Sequence, residues 1–330
     1  MSFAPSIRSR WSAESGPMAD VCGVLACLRC ENNEWVFESD HILRCVSCRA
    51  TLHIENNIVD CLLAGSTLSS AATEWGVFYG GSPKPYSVGA DWWRLSCWRK
   101  YLFQDVIKDL AGKLIIDFGC GTAVRVAALL PIQTHTYRYV GIDSSLEALK
   151  RATHALPGAF FIHADLGSLR LRSERADIVL CLGVLMYFQN FTPPLSQLLH
   201  ALKPGGILLL HEQIYRKSWR QIVRAFFGSS HDIYPASHSI DLKKLRECLS
   251  EHGSTLRIHF TGSPLRRLLM KLFDVTPLEP FRPLAAWVDS LWCATVGRAL
   301  PSVGASEIQI VFQKSATKSA LQPQSGSKEV

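Results

Sequence analysis

An α/β fold built on a doubly wound, mostly parallel, seven-stranded sheet is what this 330-residue sequence predicts, and three observations carry the expectation. From about residue 89 onwards, short β-branched apolar runs alternate with stretches of helical periodicity. The first run ends in a glycine turn that opens a helix, and the next two end in or next to an aspartate. Alternation of this kind yields a parallel sheet with helices on both faces.

The strands are expected at Leu114–Phe118, Tyr139–Asp143, Ala159–His163, Ile178–Cys181 and Ile207–His211, with Thr255–Phe260 and Ile308–Phe312 closing the sheet. Between the second and third, Leu146, Leu149, Ala152 and Leu156 recur at helical spacing. A content of 48% hydrophobic and 19% charged residues supplies an ordinary core and excludes the disordered class. The net charge of +7 favours anionic partners without selecting one. The first 20 residues lack the apolar stretch of roughly 7–15 residues that an export signal needs, and no run approaches the ~20 residues of a membrane span. A cytoplasmic location is therefore expected, with an organelle transit peptide in the Ser- and Arg-containing leader as the alternative, and the 11 cysteines are expected as thiols or metal ligands rather than disulfides.

Composition divides the chain into a disordered leader (1–20), a Cys-rich block (21–64), a linker rich in Gly, Ser and Pro (65–88), a main domain (89–314) and a disordered tail (315–330). Helical insertions are expected within the main domain at 214–250 and 264–303.

In the Cys-rich block, Cys27-x-x-Cys30 and Cys45-x-x-Cys48 are separated by 14 residues, enough for a hairpin. Two such pairs can turn four thiolates onto one tetrahedral Zn2+, a closed structural site with no open position for chemistry. Four unliganded core cysteines and an iron–sulfur centre are the alternatives. Metal binding would supply the fold of a block too small for a core of its own. The run LACLRCENNEWVFESDHILRCVSCRATLHIENNIVDCL resembles the zinc-ribbon segment of tRNA-methyltransferase activator subunits, although no proline follows Cys27. A similar ribbon precedes the catalytic domain in some bacterial methyltransferases, including those that act on a guanine of large-subunit rRNA.

The glycine turn lies in LIIDFGCGTAVRVAALL (114–130), followed by YVGIDSS, FFIHADLGSL, DIVLCLGVLMYF and LKPGGILLLHE at the ends of successive strands. Together these resemble the motif series of class I S-adenosylmethionine-dependent methyltransferases (the methyltransferase type 11 group), over about 200 residues. The resemblance implies a Rossmann-like methyltransferase fold with S-adenosyl-L-methionine as cofactor. It implies further that Asp117 lies near the methionine end, Gly119 and Gly121 line the cofactor, Asp143 holds the ribose, and Asp165 with Leu166 meets the adenine. The last glycine of the usual loop is here Ala123. A nicotinamide-dependent dehydrogenase would need a third glycine where this chain has Val124.

His163, Tyr187, His211 and Glu212 stand near strand ends as candidate bases, with His211 first and a hydrogen-bonded wall residue as the alternative role for each. The acceptor is read from the insertions, because the core fold serves many chemistries. IYRKSWRQIVRAFFG puts Tyr215, Trp219, Ile222, Val223 and Phe226 on one helical face, and the basic, apolar PLRRLLMKLFDV precedes Leu284, Trp287, Val288, Leu291, Trp292 and Val296 at helical spacing. These segments, with the nearby Trp75, Trp92, Trp93, Trp98 and Tyr101, suggest a helical cap over a small, partly apolar acceptor such as a lipid, quinone or natural product. The competing readings are an RNA base as acceptor, a helix resting on a membrane surface, and a non-catalytic binding module that keeps only the fold.

Overall fold

The seven expected strands form one sheet in the computed structural model, which describes residues 17–62, 70–81, 92–130, 137–214, 238, 240–263, 266, 279–300 and 305–316. They are β5 (Leu114–Phe118), β6 (Arg138–Asp143), β7 (Phe160–His163), β8 (Ala176–Leu182), β9 (Leu202–Gln213), β10 (Gly253–Thr261) and β11 (Glu307–Lys314). Four shorter strands precede them: β1 (Trp35–Ser39), β2 (Ile42–Cys45), β3 (Thr51–Glu55) and β4 (Ile58–Asp60). The spatial order is β1-β2-β3-β4-β7-β6-β5-β8-β9-β11-β10. From β5 the chain steps outwards through β6 and β7, then returns to β8 and β9 on the other side. That reversal beside β5 is the switch point at which such sheets open a crevice. The long connection between β10 and β11 lets β11 enter antiparallel between β9 and β10.

Strands β5 and β7 are buried on both faces, which is why their sequences are continuous apolar runs rather than alternating ones. One layer of the core takes Ile116, Phe118, Val140, Ile142, Phe160 and Ile162, and the other takes Ile115, Tyr139, Phe161, Leu209 and Val311. The helices have legible starts. Ser145 caps Leu146–Ala155 by accepting from the Ala148 amide at 3.2 Å, and Asp241 accepts from Lys243 and Lys244 ahead of Leu242–Ser250. Thr192–Ala201 begins with a proline pair whose missing amides cost nothing there.

The structure departs from the sequence reading in three places. The end of the leader is helical: α1 (Pro17–Val24) packs under the sheet, and Asp20 accepts from Arg138 at 2.7 Å. Residues 1–16 of the leader, and the tail beyond residue 316, lie outside the described residues. Within the expected linker, Ser70–Gly81 forms helix α2. Its glycines and serines signalled a loop, but contact with the helix after β6 decides the matter, through Ala72, Tyr79 and a 2.8 Å bond from Arg151 to the Tyr79 carbonyl. The third departure is in the late insertion, where helix Arg282–Trp292 and a π-turn over Cys293–Gly297 occur at the expected place. There the buried stripe is Ala285, Asp289 and Cys293, while Leu284, Trp287 and Leu291 are more than half exposed. Most of the 214–250 insertion, including Tyr215 to Phe226, lies outside the described residues; Ile214, Ile240 and Leu242–Ser250 are within them. Among the described residues no helix is long and apolar enough to cross a membrane.

The four short strands do not stand apart from the large sheet. β4 runs parallel to β7, pairing Ile58 with Phe161, Val59 with Ile162 and Asp60 with His163. The β3–β4 turn uses Asn56 and Asn57, both at positive φ, as a two-residue hairpin of this twist demands. Val59 is fully buried in the shared core. Val59→Ala should lower the unfolding free energy by about 2 kcal/mol. In a urea titration it should do so in one transition shared with the large sheet; a separate early transition would show that the short strands fold independently.

Candidate functional site

The turn after β5 is fixed by its backbone. Gly119 and Gly121 both have positive φ, and the amides of Gly119 and Cys120 donate to the Ile142 carbonyl at 2.8 and 3.0 Å. A Cβ on Gly119 would collide with Val184, and one on Gly121 would lie 2.7 Å from the Tyr79 hydroxyl. Neither position has room for a side chain. Ala123, the residue in place of the usual last glycine, also lies in the left-handed region at φ 53°. That conformation costs an L-residue about 1–2 kcal/mol, which is the physical reason a glycine is usual there.

Asp143, at the end of β6, closes the turn. Its Oδ2 accepts from the Gly121 amide at 2.7 Å and its Oδ1 from the Ser145 amide at 2.9 Å. Burial raises its pKa, against the pull of those amides. Asp117 lies one layer deeper, accepting from the Tyr139 hydroxyl at 2.5 Å, and burial pushes its pKa to about 7. Asp165 and Leu166 follow β7, on the other side of β6 from the turn, half-buried; the Gly167 amide donates to Asp165 Oδ1 at 2.8 Å. The structure thus brings Asp143 onto the glycine turn and sets Asp165 and Leu166 one strand further out.

His163 and Glu212 have structural partners that occupy them. His163 bonds Asp60 at 3.1 Å through Nδ1 and the Ser144 carbonyl at 3.2 Å through Nε2, tying β4 to the residue beside Asp143. Glu212 is fully buried and accepts from the amides of Val184, Leu185 and Met186 at 2.8–3.2 Å. It therefore holds the loop that follows β8, whose Val184 abuts Gly119. Burial still pushes its pKa up to about 8. Tyr187 ends the same loop, its ring edge-on to Trp75 of α2 at 5.2 Å.

His211 lies on the far side of β8 from the glycine turn, in a buried polar cluster that the sequence reading missed. Its Nε2 faces Glu307 at 4.0 Å, and its ring meets Trp98 at 5.3 Å. Burial, more than the nearby arginines, drives its pKa down to about 3, so the imidazole is neutral. Glu307 is held by Arg266 at 2.7 Å and Arg94 at 3.5 Å, which keep it ionised despite its burial. Asp289 accepts from Ser263 at 2.7 Å and from Gly262 and Trp93 at 3.3 Å, anchoring the late helix against α3 (Trp92–Trp98). A signal existed: Glu307 and Gln309 sit at period two, alternating with Ile308 and Ile310 at the buried start of the strand, which marks a polar stripe on a buried face.

The four sulfurs of Cys27, Cys30, Cys45 and Cys48 lie within 4.8 Å of one another, with Cys27–Cys48 at 3.5 Å and Cys30–Cys45 at 3.6 Å. Ligands of a tetrahedral ion with bonds of about 2.3 Å stand about 3.8 Å apart, so the set fits Zn2+. Each pair is followed by a residue at positive φ, Glu31 and Arg49, whose amide returns to the carbonyl of the pair's first cysteine. The two halves are built alike.

Residues 116–210 match the methyltransferase domain family. The chain is 33% identical over 96 residues to trans-aconitate 2-methyltransferase of Azoarcus sp. (strain BH72), covering 29% of this chain and 37% of that one. It is 26% identical over 189 residues to demethylmenaquinone methyltransferase of Staphylococcus saprophyticus, covering 50% and 80%. A solved S-adenosylmethionine-dependent methyltransferase from Mesorhizobium loti superposes with a TM-score of 0.44 at 16% identity, over 68% of this chain and 98% of that one. The chain spans little more than a third of the length of the first curated relatives that it matches. The matched span runs from β5 to β9 and includes the switch point beside β5, so residues 116–210 carry a methyltransferase domain.

Proposed function

We propose that the chain is an S-adenosylmethionine-dependent methyltransferase acting on a small, partly apolar molecule, and that its ribbon is held by a structural Zn2+. The observation that carries the cofactor reading is the buried Asp143 carboxylate clasping the glycine turn through Gly121 and Ser145. Each of its oxygens takes one amide and keeps a lone pair, the arrangement that accepts two vicinal ribose hydroxyls. Gly119 and Gly121 would let the backbone approach the cofactor, Asp165 would accept from the adenine amine beside Leu166, and Asp117 would meet the methionine ammonium. When bound, the cofactor supplies a methyl group already activated on a sulfonium. The protein's own task is then to hold the acceptor in line and keep water out, and orientation alone contributes about 7–11 kcal/mol. His211, buried at the end of β9 with the Glu307 carboxylate facing its Nε2 to balance an imidazolium, is the proton acceptor in this reading. The curated relatives support a small acceptor, since those matched include enzymes named for trans-aconitate and demethylmenaquinone.

Asp143→Asn should weaken S-adenosylhomocysteine binding about a hundredfold in calorimetry with the far-ultraviolet circular dichroism unchanged. Unaltered affinity would remove the ribose assignment. Asp117, with a pKa near 7, gains its charge as pH rises, and only the ionised form attracts an ammonium. Affinity for S-adenosylhomocysteine should therefore climb from about pH 6 to about pH 8 and level off, and Asp117→Asn should flatten the profile. Metal analysis should find about one zinc per chain, and Cys45→Ser should lose it; full metal content in that variant would refute the ligand set.

A further inference from the structure

Trp98 Nε1, His211 Nδ1 and Gln309 Oε1 are buried and have no hydrogen-bond partner among the described residues. The three residues are 1–2% exposed and come from three different elements. Trp98 ends α3 with its ring edge-on to the His211 imidazole. His211 and Gln309 are directly opposite one another on β9 and β11, so their side chains leave the sheet on the same face. Buried polar groups are almost always paired, and leaving one unpaired costs about 1–3 kcal/mol. Three such atoms on residues packed side by side point to a ligand group.

The hydrogen-bonding sense of each atom is fixed by what its other end does. Gln309 donates from Nε2 to the Thr261 hydroxyl at 3.2 Å, leaving Oε1 as a free acceptor. The His211 Nε2 faces the Glu307 carboxylate, so the ring proton belongs there and Nδ1 presents a lone pair. The indole nitrogen can only donate. The set is one donor and two acceptors. A carboxylate would meet two lone pairs with lone pairs of its own. An ammonium would leave the indole N–H without an acceptor. A hydroxyl both donates and accepts.

We propose that Trp98, His211 and Gln309 form the subsite for the reacting hydroxyl of the methyl acceptor, which makes that acceptor an alcohol or a phenol. The assignment rests on the methyltransferase reading and narrows it. In the transfer, the hydroxyl oxygen bonds to the methyl carbon as the carbon–sulfur bond breaks, and its electron pair stays on sulfur. The hydroxyl proton passes to His211 Nδ1, the Glu307 carboxylate that faces Nε2 balancing the imidazolium, and then to solvent. The products are a methyl ether and a neutral thioether.

The test uses the full-length protein loaded with S-adenosylhomocysteine and three probes of one skeleton: phenol, benzoate and toluene. Nitrogen-15 spectra should show phenol shifting the Trp98 indole and His211 imidazole signals, with benzoate and toluene binding at least about tenfold more weakly. Gln309→Leu and the bulkier-headed Gln309→Met should each weaken phenol about tenfold while leaving affinity for S-adenosylhomocysteine unchanged, which also reports that the variants fold. Toluene or benzoate binding as well as phenol, signals that do not move, or folded variants with undiminished phenol affinity would each overturn the subsite. Failure of the wild-type protein to bind S-adenosylhomocysteine would instead bring down the methyltransferase reading, and the subsite with it.

Discussion

The carboxylate of Asp143 holds the centre of this molecule together. It stands at the end of one strand and receives amides from the turn of its neighbour and from the start of the helix that follows. Strand, turn and helix are thereby locked in one arrangement. The anchorage extends outward by short steps. Ser144 passes it through His163 to Asp60 on β4, and Val184 passes it from Gly119 to the loop that Glu212 holds.

A common device recurs along the edge of the sheet at which the parallel strands end. Glu212 gathers three backbone amides, Asp289 gathers two and an indole, and Glu307 gathers two guanidinium groups. Each is a buried acid whose desolvation is offset by several directed donors, and removing any one would leave donors stranded in a dry interior. They fix loops and helices where the fold has no ladder hydrogen bonds to do so.

The central sheet was legible because periodicity and glycine placement are local signals. Leu114–Phe118 matched to the residue, and the other strands came within two residues of their ends except β9, which begins five residues earlier than expected, at Leu202. What escaped was governed by contacts distant in sequence. Helix α2 reads as a loop until its packing on the helix after β6 is known. Pairing of β4 with β7 joins residues a hundred positions apart and leaves no trace in either segment alone. The His211 surroundings drew on α3, β10, β11 and the late insertion, and only the alternation of Glu307 and Gln309 hinted at them. In the late helix, Arg282–Trp292, the large apolar residues were expected to face inward. Asp289 sets its rotation instead, because satisfying a buried carboxylate outweighs hiding Trp287 and Leu291.

Pairing of β4 with β7 also bears on solubility. An open sheet presents a row of unsatisfied amides and carbonyls along its outermost strand, a template on which other chains can assemble. Here that flank is taken up by the cysteine-bearing segment, whose own outer strand is short, irregular in register and carries Glu34, Glu38 and Asp40 in or beside it. The small N-terminal unit thus sheathes the flank of the large sheet, and a chain stripped of it would bare Phe160–His163 to its neighbours.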